Sequence, residues 1–323
     1  MMADSVEANT TRSGFIDPAA LMRIQSLQLR AKSVVEGFYN GLHRSPYFGF
    51  SVEFSEYRPY VVGDDPRNLD WKLFARSDRY YIKRFEEETN RRCYFVVDQS
   101  RSMEYGSIGY SKTEYARTIA ATLAYFMSRQ RDSVGLVTFD EQVREYLPAR
   151  HRPGHLHRLM MLLEQPTGGK HTDLPKPLEH LAALVKKRGL VVLISDMLAP
   201  IDSLSKGLGY LRSRGHEVLL MRCLDPAELS LSFSEPMMLR DMESGRELFV
   251  DPEAIRAGYQ RKFTAHQQSL QNICSDLGVS LYSITTDQPL ERSLLELIEH
   301  QNRVPRTSRR TASRAVNKMG GPP

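Results

Sequence analysis

A buried strand that ends in side-chain oxygens constrains this chain more than any other feature. The apolar run Cys-Tyr-Phe-Val-Val at 93–97 is typical of a parallel strand that is covered on both faces. Asp98, Ser100 and Ser102 follow it directly, so one carboxylate and two hydroxyls leave the strand end at alternating positions. Open α/β folds keep their ligand sites at the carboxyl edge of the sheet. The stretch therefore predicts a ligand site on such a fold.

Apolar strands alternate with helical patterns along the rest of the chain, which predicts an α/β fold with a doubly wound, mostly parallel sheet. The predicted strands are 93–97, 133–139, 142–147 (a short edge strand), 190–195, 218–224 and 279–284. The predicted helices are 112–129, 155–164, 174–187, 203–214, 252–277 and 290–301. The alternation breaks over about 225–250, where the segments 230–233 and 237–240 on either side of Pro236 predict an inserted hairpin.

The predicted sheet domain spans 91–302, and a smaller N-terminal region at 19–90 is expected to pack on it. Within that region the periodicity predicts a helix over 21–39, whereas 51–92 mixes aromatic and charged residues without a regular element. The polar N-terminus (1–18) and the Arg, Ser and Thr-rich tail (303–323) are expected to be disordered. Such segments bury too little apolar surface to offset the entropy of ordering them.

Composition favours a globular protein of the reducing cytoplasm. A chain of 323 residues that is 41% hydrophobic can bury a sizeable core. Cys93, Cys223 and Cys274 are scattered in apolar surroundings, which is typical of buried reduced thiols. The net charge of +5 comes largely from the C-terminal tail, and no apolar run is long enough for direct insertion into a membrane.

Two later loops can complete an oxygen site at the same sheet edge. Asp196 follows the buried strand 190–195 as Asp98 follows the first strand, and Thr172 lies in a Gly-Gly-Lys-His-Thr-Asp loop before a helix. Hard oxygens with few carboxylates suit Mg²⁺, for which Mn²⁺ can substitute. The candidate metal ligands are Asp98, Ser100, Ser102, Thr172 and Asp196.

These segments resemble the metal-ion-dependent adhesion site of the von Willebrand factor A domain. Asp98, Ser100 and Ser102 match its D-x-S-x-S segment, Thr172 its loop threonine and Asp196 its later aspartate, in the same order. The resemblance implies that the hydroxyls ligate Mg²⁺ directly or nearly so, that the aspartates act partly through water, and that one position stays open for a partner's carboxylate. The alternative is that these side chains only cap the turns and the helix that follow them. Capping does not require three matched loops, which favours the metal.

A second resemblance lies upstream of the sheet domain. The segments F-S-E-Y-R-P-Y at 54–60, G-D-D-P-R-N-L-D-W-K at 63–72 and R-F-E-E-E at 84–88 are similar to the bacterial family called "domain of unknown function 58". The resemblance implies a cytoplasmic protein that works with a MoxR-type AAA+ ATPase and has no established catalytic activity. From the residues themselves, Trp71 and its tyrosine neighbours are expected to be buried in a rigid platform, and a partner contact is the alternative.

The expected function is a non-enzymatic, Mg²⁺-dependent protein–protein interaction module, an adaptor for the assembly or maturation of protein complexes. Its partner, a MoxR-type AAA+ ATPase or a client of that ATPase, would donate an acidic side chain. Neither a phosphate-binding P-loop nor an H-E-x-x-H motif occurs in the sequence.

Two alternatives from other classes stay open. One is a Mg²⁺-dependent phosphoryl-transfer hydrolase with Asp98 as nucleophile. Hydrolases of the haloacid dehalogenase type normally have a second aspartate two positions after the first. Ser100 occupies that position here, which favours binding over catalysis. The other alternative is a nucleic-acid contact through the basic tail, which we expect less than a disordered, solubilising tail.

Overall fold

The computed structural model describes residues 15–44, 57–59, 80–83, 91–166, 175–231, 233, 235–241 and 245–303. The strands are β1 (Tyr57–Pro59), β2 (Tyr81–Lys83), β3 (Arg92–Asp98), β4 (Ser133–Phe139), β5 (Val143–Arg150), β6 (Leu190–Ser195), β7 (Glu217–Leu224), β8 (Met237–Arg240), β9 (Glu247–Val250) and β10 (Ser280–Thr285). The α-helices are α1 (Pro18–Met22), α2 (Leu27–Arg44), α3 (Lys112–Arg129), α4 (His155–Leu163), α5 (Pro175–Leu184), α6 (Ile201–Ser213), α7 (Pro226–Ser230), α8 (Pro252–Leu277) and α9 (Glu291–Arg303).

Six strands form the central sheet in the order β10-β7-β6-β3-β4-β5. All neighbours are parallel except the edge strand β5, which runs antiparallel to β4. The predicted doubly wound, mostly parallel sheet is therefore confirmed. The chain runs outward from β3 to β5 and then returns to the other side of β3 for β6. This reversal places the carboxyl ends of β3 and β6 side by side, where such folds bind ligands.

The four central strands β3, β4, β6 and β7 are buried on both faces, as their continuous apolar sequences require. Along β3, Cys93, Phe95 and Val97 belong to one core cluster, while Tyr94 and Val96 belong to the other. Helices α2, α3, α4 and α9 contribute side chains to the first cluster, and α5, α6 and the end of α8 contribute to the second. The three cysteines are buried free thiols.

The N-terminal helix predicted over 21–39 is two helices, α1 and α2, so the prediction of one continuous helix is wrong. Asp17 caps α1 by accepting hydrogen bonds from the N–H groups of its first turn. The Arg30 guanidinium donates to the carbonyls of Met22 and Ile24, which satisfies the backbone groups that the break between the helices exposes. Helix α2 then packs along α3 through Phe38 and Phe126, whose ring centroids are 6.3 Å apart.

Two other segments differ from the prediction. The inserted hairpin is present, but its arms are β8 and β9. The arm predicted at 230–233 is wrong, because the helix α7 reaches Ser230 and Leu231 caps it with a left-handed φ of +45°. Upstream, β1 pairs with β2 within a stretch predicted to lack regular structure. Apart from Tyr80, Arg91 and Arg92, the rest of that stretch, including Trp71, lies outside the described residues. Among the helices that the structure describes, none is long and apolar enough to cross a membrane.

Candidate functional site

The end of β3 holds three of the predicted ligands together. Asp98 is fully buried; its Oδ1 accepts a hydrogen bond from the Ser100 N–H (2.9 Å) and its Oδ2 accepts one from the Ser195 hydroxyl (2.6 Å). The hydroxyls of Ser100 and Ser102 are 3.1 Å apart at the start of the 3₁₀ helix Arg101–Glu104. The Ser100 side chain also bonds the Asp98 carboxylate, so one carboxylate and two hydroxyls lie next to one another, as the D-x-S-x-S spacing predicts.

Asp196 lies beside this trio at the end of β6. Its Oδ1 accepts a hydrogen bond from the Leu198 N–H (3.1 Å), and the Ser102 side chain also bonds to the carboxylate. Its Oδ2 accepts a bond of 2.8 Å from the Lys112 ammonium. The next residue, Met197, has a φ of +55°, a left-handed conformation that costs a non-glycine residue roughly 1–2 kcal/mol. Two of the three predicted segments thus meet in one cluster.

Lys112 is a member of this cluster that sequence reasoning missed. It is the first residue of α3 and is 0% exposed, and its ammonium bonds both Asp196 and the Glu228 Oε1, the latter at 2.5 Å. The helix starts at the sheet edge because the Ser111 hydroxyl accepts from the Glu114 N–H in a capping box. That Ser-x-x-Glu pattern was the available signal, since it places the first turn of α3 beside the end of β3.

The end of β7 joins the same edge through Asp225 and Glu228. These two residues form the capping box of α7, in which the Asp225 N–H donates to the Glu228 Oε2 at 2.9 Å. The Ser107 N–H and hydroxyl both donate to the Asp225 carboxylate, at 2.9 and 2.5 Å. The turn before Ser107 needs glycine, because a Cβ at Gly106 would lie 2.0 Å from the Tyr110 carbonyl oxygen. Asp225 follows a predicted strand directly, so the strand-end pattern could have found it.

Arg222, near the end of β7, supplies a second buried cation. Its Nε donates to the Asp196 backbone carbonyl at 3.0 Å, and its guanidinium carbon lies 5.1 Å from the centroid of the Phe263 ring. Its Nη2 has no hydrogen-bond partner among the residues that the structure describes. Burial lowers the pKa of the guanidinium, which stays above neutrality in proteins. The cluster therefore contains two cations, neither of which bonds Asp98.

The pKa values of the two aspartates at the strand ends are shifted in opposite directions. Burial, then the nearby Asp196 carboxylate, raises the pKa of Asp98 from 3.8 to about 6, against the opposing hydrogen bonds from Ser195 and Ser100. Burial also acts to raise the pKa of Asp196, but the Lys112 ammonium outweighs it and the pKa lies below its usual value.

The pKa values of the Lys112–Glu228 pair both rise. Burial acts to lower the pKa of Lys112, but the carboxylates of Asp196 and Glu228 outweigh it, so the pKa lies above its usual value and the ammonium is charged. Burial raises the pKa of Glu228, because its effect outweighs the Lys112 ammonium and the hydrogen bond from the Asp225 N–H, which both act to lower it.

The donor set at the end of β3 suits a hard cation. Asp98 has no ion-pair partner among the described residues, and the hydroxyls of Ser100 and Ser102 are neutral oxygen donors beside it. One oxygen of Asp196 is already bonded by Lys112. No group of three or more His, Cys, Asp or Glu side chains that could hold a metal occurs in the described ranges. Thr172 lies outside the described residues.

Comparison with known proteins then places the chain in a family. A family model described as "Protein of unknown function DUF58" matches residues 56–269, about two thirds of the chain. The chain belongs to the DUF58 family. This confirms the second resemblance drawn from the sequence.

The relatives of this DUF58 chain include mycobacterial proteins. "Uncharacterized protein Rv1480" of Mycobacterium tuberculosis (strain ATCC 25618 / H37Rv) is 28% identical over 297 residues, which cover 90% of this chain and 93% of that protein. "Uncharacterized protein MAV169" of Mycobacterium avium is 27% identical over 156 residues, 48% of this chain and 90% of that protein.

Solved structures similar to this DUF58 chain include proteins with VWA domains. The conserved hypothetical protein BatB from Bacteroides thetaiotaomicron has a TM-score of 0.47 at 14% sequence identity, covering 66% of this chain and 99% of BatB. The VWA domain of SpRpn10 has a TM-score of 0.40 at 13% identity, covering 64% of this chain and 95% of that domain.

Proposed function

We propose that this DUF58 protein is a non-enzymatic protein–protein interaction module of the cytoplasm that binds an acidic side chain of its partner through Mg²⁺. The observation that carries the proposal is the environment of Asp98. This carboxylate is fully buried, has no cationic partner among the described residues and lies beside two serine hydroxyls at the edge where open α/β folds bind ligands.

Each residue of the cluster has a distinct role in this proposal. Asp98, Ser100 and Ser102 hold the cation, for which Mn²⁺ can substitute, and Thr172 is proposed as a further hydroxyl ligand. The Ser195 hydroxyl orients Asp98, because it donates to the oxygen that the Ser100 N–H does not bond. Asp196 supplies a second carboxylate beside the cation, and it also bonds the Ser102 side chain. Bound there, Mg²⁺ would supply an open coordination position for the carboxylate of the partner.

The approach to the site lies on the side of Ser102. Asp98 and Ser100 are buried, whereas Ser102 is half-buried and is followed by the exposed positions Glu104, Gly106 and Ser107. A single metal–carboxylate contact needs a surrounding surface to reach useful affinity and specificity. The loop from 104 to 109 is the surface that we propose for this purpose, because the Ser107–Asp225 bonds and the lack of room at Gly106 hold it in place.

The proposed partner is a MoxR-type AAA+ ATPase or a client that it remodels, which makes this protein an adaptor in the assembly or maturation of protein complexes. Support for this partner comes from the DUF58 resemblance, and support for an acidic contact comes from the oxygen cluster. Capture of the purified MoxR-type ATPase on immobilised protein tests both parts. We expect capture in Mg²⁺ and loss of capture in a chelator.

Matched serine variants sharpen that experiment. Ser100→Ala removes a hydroxyl of the cluster, whereas Ser269→Ala removes an exposed hydroxyl of α8 that bonds only its own helix. We expect Ser100→Ala and Asp98→Ala to abolish Mg²⁺-dependent capture with little loss of fold, and Ser269→Ala to leave capture unchanged. Equal capture with and without the chelator would overturn the role of the metal.

The hydrolase alternative is less consistent with the geometry. Hydrolases of the haloacid dehalogenase type have a second aspartate two positions after the nucleophile, and here that position holds Ser100, whose N–H donates to the Asp98 Oδ1. A screen of phosphate monoesters with Mg²⁺, with Asp98→Asn as the control, tests this directly. We expect no turnover above background; turnover that is lost in Asp98→Asn would replace our proposal with the hydrolase.

A further inference from the structure

The Lys112 ammonium lies between two carboxylates on one side of the proposed metal ligands. It bonds the Asp196 Oδ2 at 2.8 Å and the Glu228 Oε1 at 2.5 Å, across 84 and 116 residues of sequence. Its side chain is 0% exposed, whereas the side chain of Glu228 is 16% exposed. Lys112 is thus a cation built into the cluster, and Asp196 is the carboxylate that it shares with the proposed site.

A divalent cation at Asp98 would be close to this ammonium. Ser102 links the two parts of the cluster, because its hydroxyl is 3.1 Å from that of Ser100 and its side chain also bonds Asp196. The repulsion between cations a few ångströms apart is large away from water. With a metal bound, the single negative charge of Asp196 would therefore have to offset two neighbouring cations.

Resting on the proposed function, we propose that Lys112 is an internal competitor of the metal: it neutralises Asp196 when no metal is bound, and it must release Asp196 for Mg²⁺ to bind tightly. Glu228 makes this exchange feasible. After release the ammonium remains paired with the Glu228 carboxylate, so it is never left buried without a partner. Glu228 is also part of the capping box of α7. Metal binding would therefore change the contacts at the start of α7 and, through that helix, affect the hairpin that follows it.

Metal affinity of a matched pair of variants tests the competition. Lys112→Met removes the competing ammonium, and Arg222→Met removes the other buried cation, which bonds only the backbone carbonyl of Asp196. By titration calorimetry with Mn²⁺, we expect Lys112→Met to bind roughly tenfold or more tightly than the wild type, because an uncompensated carboxylate becomes available. We expect Arg222→Met to change the affinity by less than about threefold, because that cation does not bond the carboxylate.

Equal affinities of Lys112→Met and the wild type would overturn the competition. An equal gain in Mn²⁺ affinity in Lys112→Met and Arg222→Met would also overturn the competition. Such a result would show that removing any nearby positive charge helps the metal, whether or not that charge bonds Asp196. Tight binding by Lys112→Met with none by the wild type would support the competition while overturning metal dependence of the wild type. If neither protein binds Mn²⁺, both proposals fail.

A measurement on the unmodified protein covers the case in which Lys112→Met does not fold. A buried, doubly bonded ammonium is shielded from exchange with water, so we expect a ¹H–¹⁵N signal of the Lys112 Nζ in the metal-free protein. Saturating Mg²⁺ should shift or remove that signal as the bond to Asp196 breaks. Mg²⁺ binding at the Asp98 cluster with an unchanged Lys112 signal would overturn the inference and leave the proposed function intact.

Discussion

An aspartate ends β3 and another directly follows β6, yet the pKa values of the two carboxylates are shifted in opposite directions. Asp98 is held by a hydroxyl and a backbone N–H, and its pKa is raised to about 6. Asp196 is paired with Lys112 and its pKa is lowered. Both carboxylates are buried at neighbouring strand ends.

The difference shows that the position of a charged partner, rather than burial alone, sets the state of a buried carboxylate. A carboxylate with an ammonium at 2.8 Å has its charge compensated by the protein itself. A carboxylate with only neutral donors has a charge that an external cation can stabilise. In the metal-free protein Asp196 is therefore neutralised by Lys112, whereas Asp98 is the carboxylate that lacks a cationic partner among the described residues.

Removing Lys112 should leave Asp196 without a cationic partner, like Asp98, and it has the largest expected effect on stability. Lys112→Met leaves the buried Asp196 and the partly buried Glu228 without their cation, and breaking a buried pair typically lowers the free energy of unfolding by about 3–5 kcal/mol. Urea denaturation at pH 7 measures it. Lys32→Met is the matched control: its partner Glu36 and Lys32 are each 51% exposed, so a loss below about 1 kcal/mol is expected. Similar losses in the two variants would show that the buried ion pair contributes no more to the free energy of unfolding than the exposed pair does.

The dependence of stability on pH should isolate Asp98. Its pKa is 3.8 when exposed and about 6 in the folded protein, so the folded state binds the proton more tightly. Its contribution is fully present below pH 4 and is lost as the pH rises through 6, by up to roughly 3 kcal/mol. The difference between the stability–pH curves of the wild type and Asp98→Asn measures this contribution. A flat difference curve between pH 4 and 7 would show that Asp98 titrates normally.

Asp196→Asn should be the more damaging of the two aspartate-to-asparagine changes at pH 7. It replaces a charged partner of Lys112 by a neutral amide, which should cost about 2 kcal/mol. Asp98→Asn removes a charge that the described residues do not compensate, so it should cost less. Thermal unfolding of the two variants side by side gives the comparison, and a larger loss in Asp98→Asn would reverse our assignment of their roles.

The smallest effect is expected for the hydroxyl that supports Asp98. Ser195→Ala removes the bond to the Asp98 Oδ2, which should cost about 1 kcal/mol and raise the pKa of Asp98 further. Ser213→Ala, which removes an exposed hydroxyl bonded to the Tyr210 carbonyl, is the control and should be nearly neutral. An unchanged Asp98 titration in Ser195→Ala would show that the hydroxyl does not control the carboxylate.

The strand ends were predictable from the sequence, because continuous apolar runs identify buried parallel strands. The polar residues that follow these runs must then lie at the carboxyl edge of the sheet. This is why the convergence of Asp98, Ser100 and Ser102 was expected and why Asp196 could be placed nearby. Lys112 was not predicted as part of the cluster. Its contacts with Asp196 and Glu228 depend on how three segments distant in sequence pack, and periodicity reports only which helix face is apolar.

The predictions of the N-terminal helix and of the first hairpin arm were wrong for a related reason. The break between α1 and α2 depends on the contact of Arg30 with carbonyls six and eight residues earlier, which no apolar pattern reveals. The segment 230–233 looked like a strand because its apolar residues alternate, but the Asp225 and Glu228 capping box starts a helix before it. That helix runs to Ser230, and Leu231 then has a left-handed φ of +45°, which does not fit a strand.

The most direct test of the account is the pKa of the Asp98 carboxyl, followed by NMR during a pH titration with and without Mg²⁺. We predict a pKa of about 6 in the metal-free protein and a fall below the ordinary 3.8 in saturating Mg²⁺, since a bound cation favours the charged form. A pKa near 3.8 without metal, or one that Mg²⁺ does not move, would contradict the claim that this buried carboxylate is the protein's cation-binding residue.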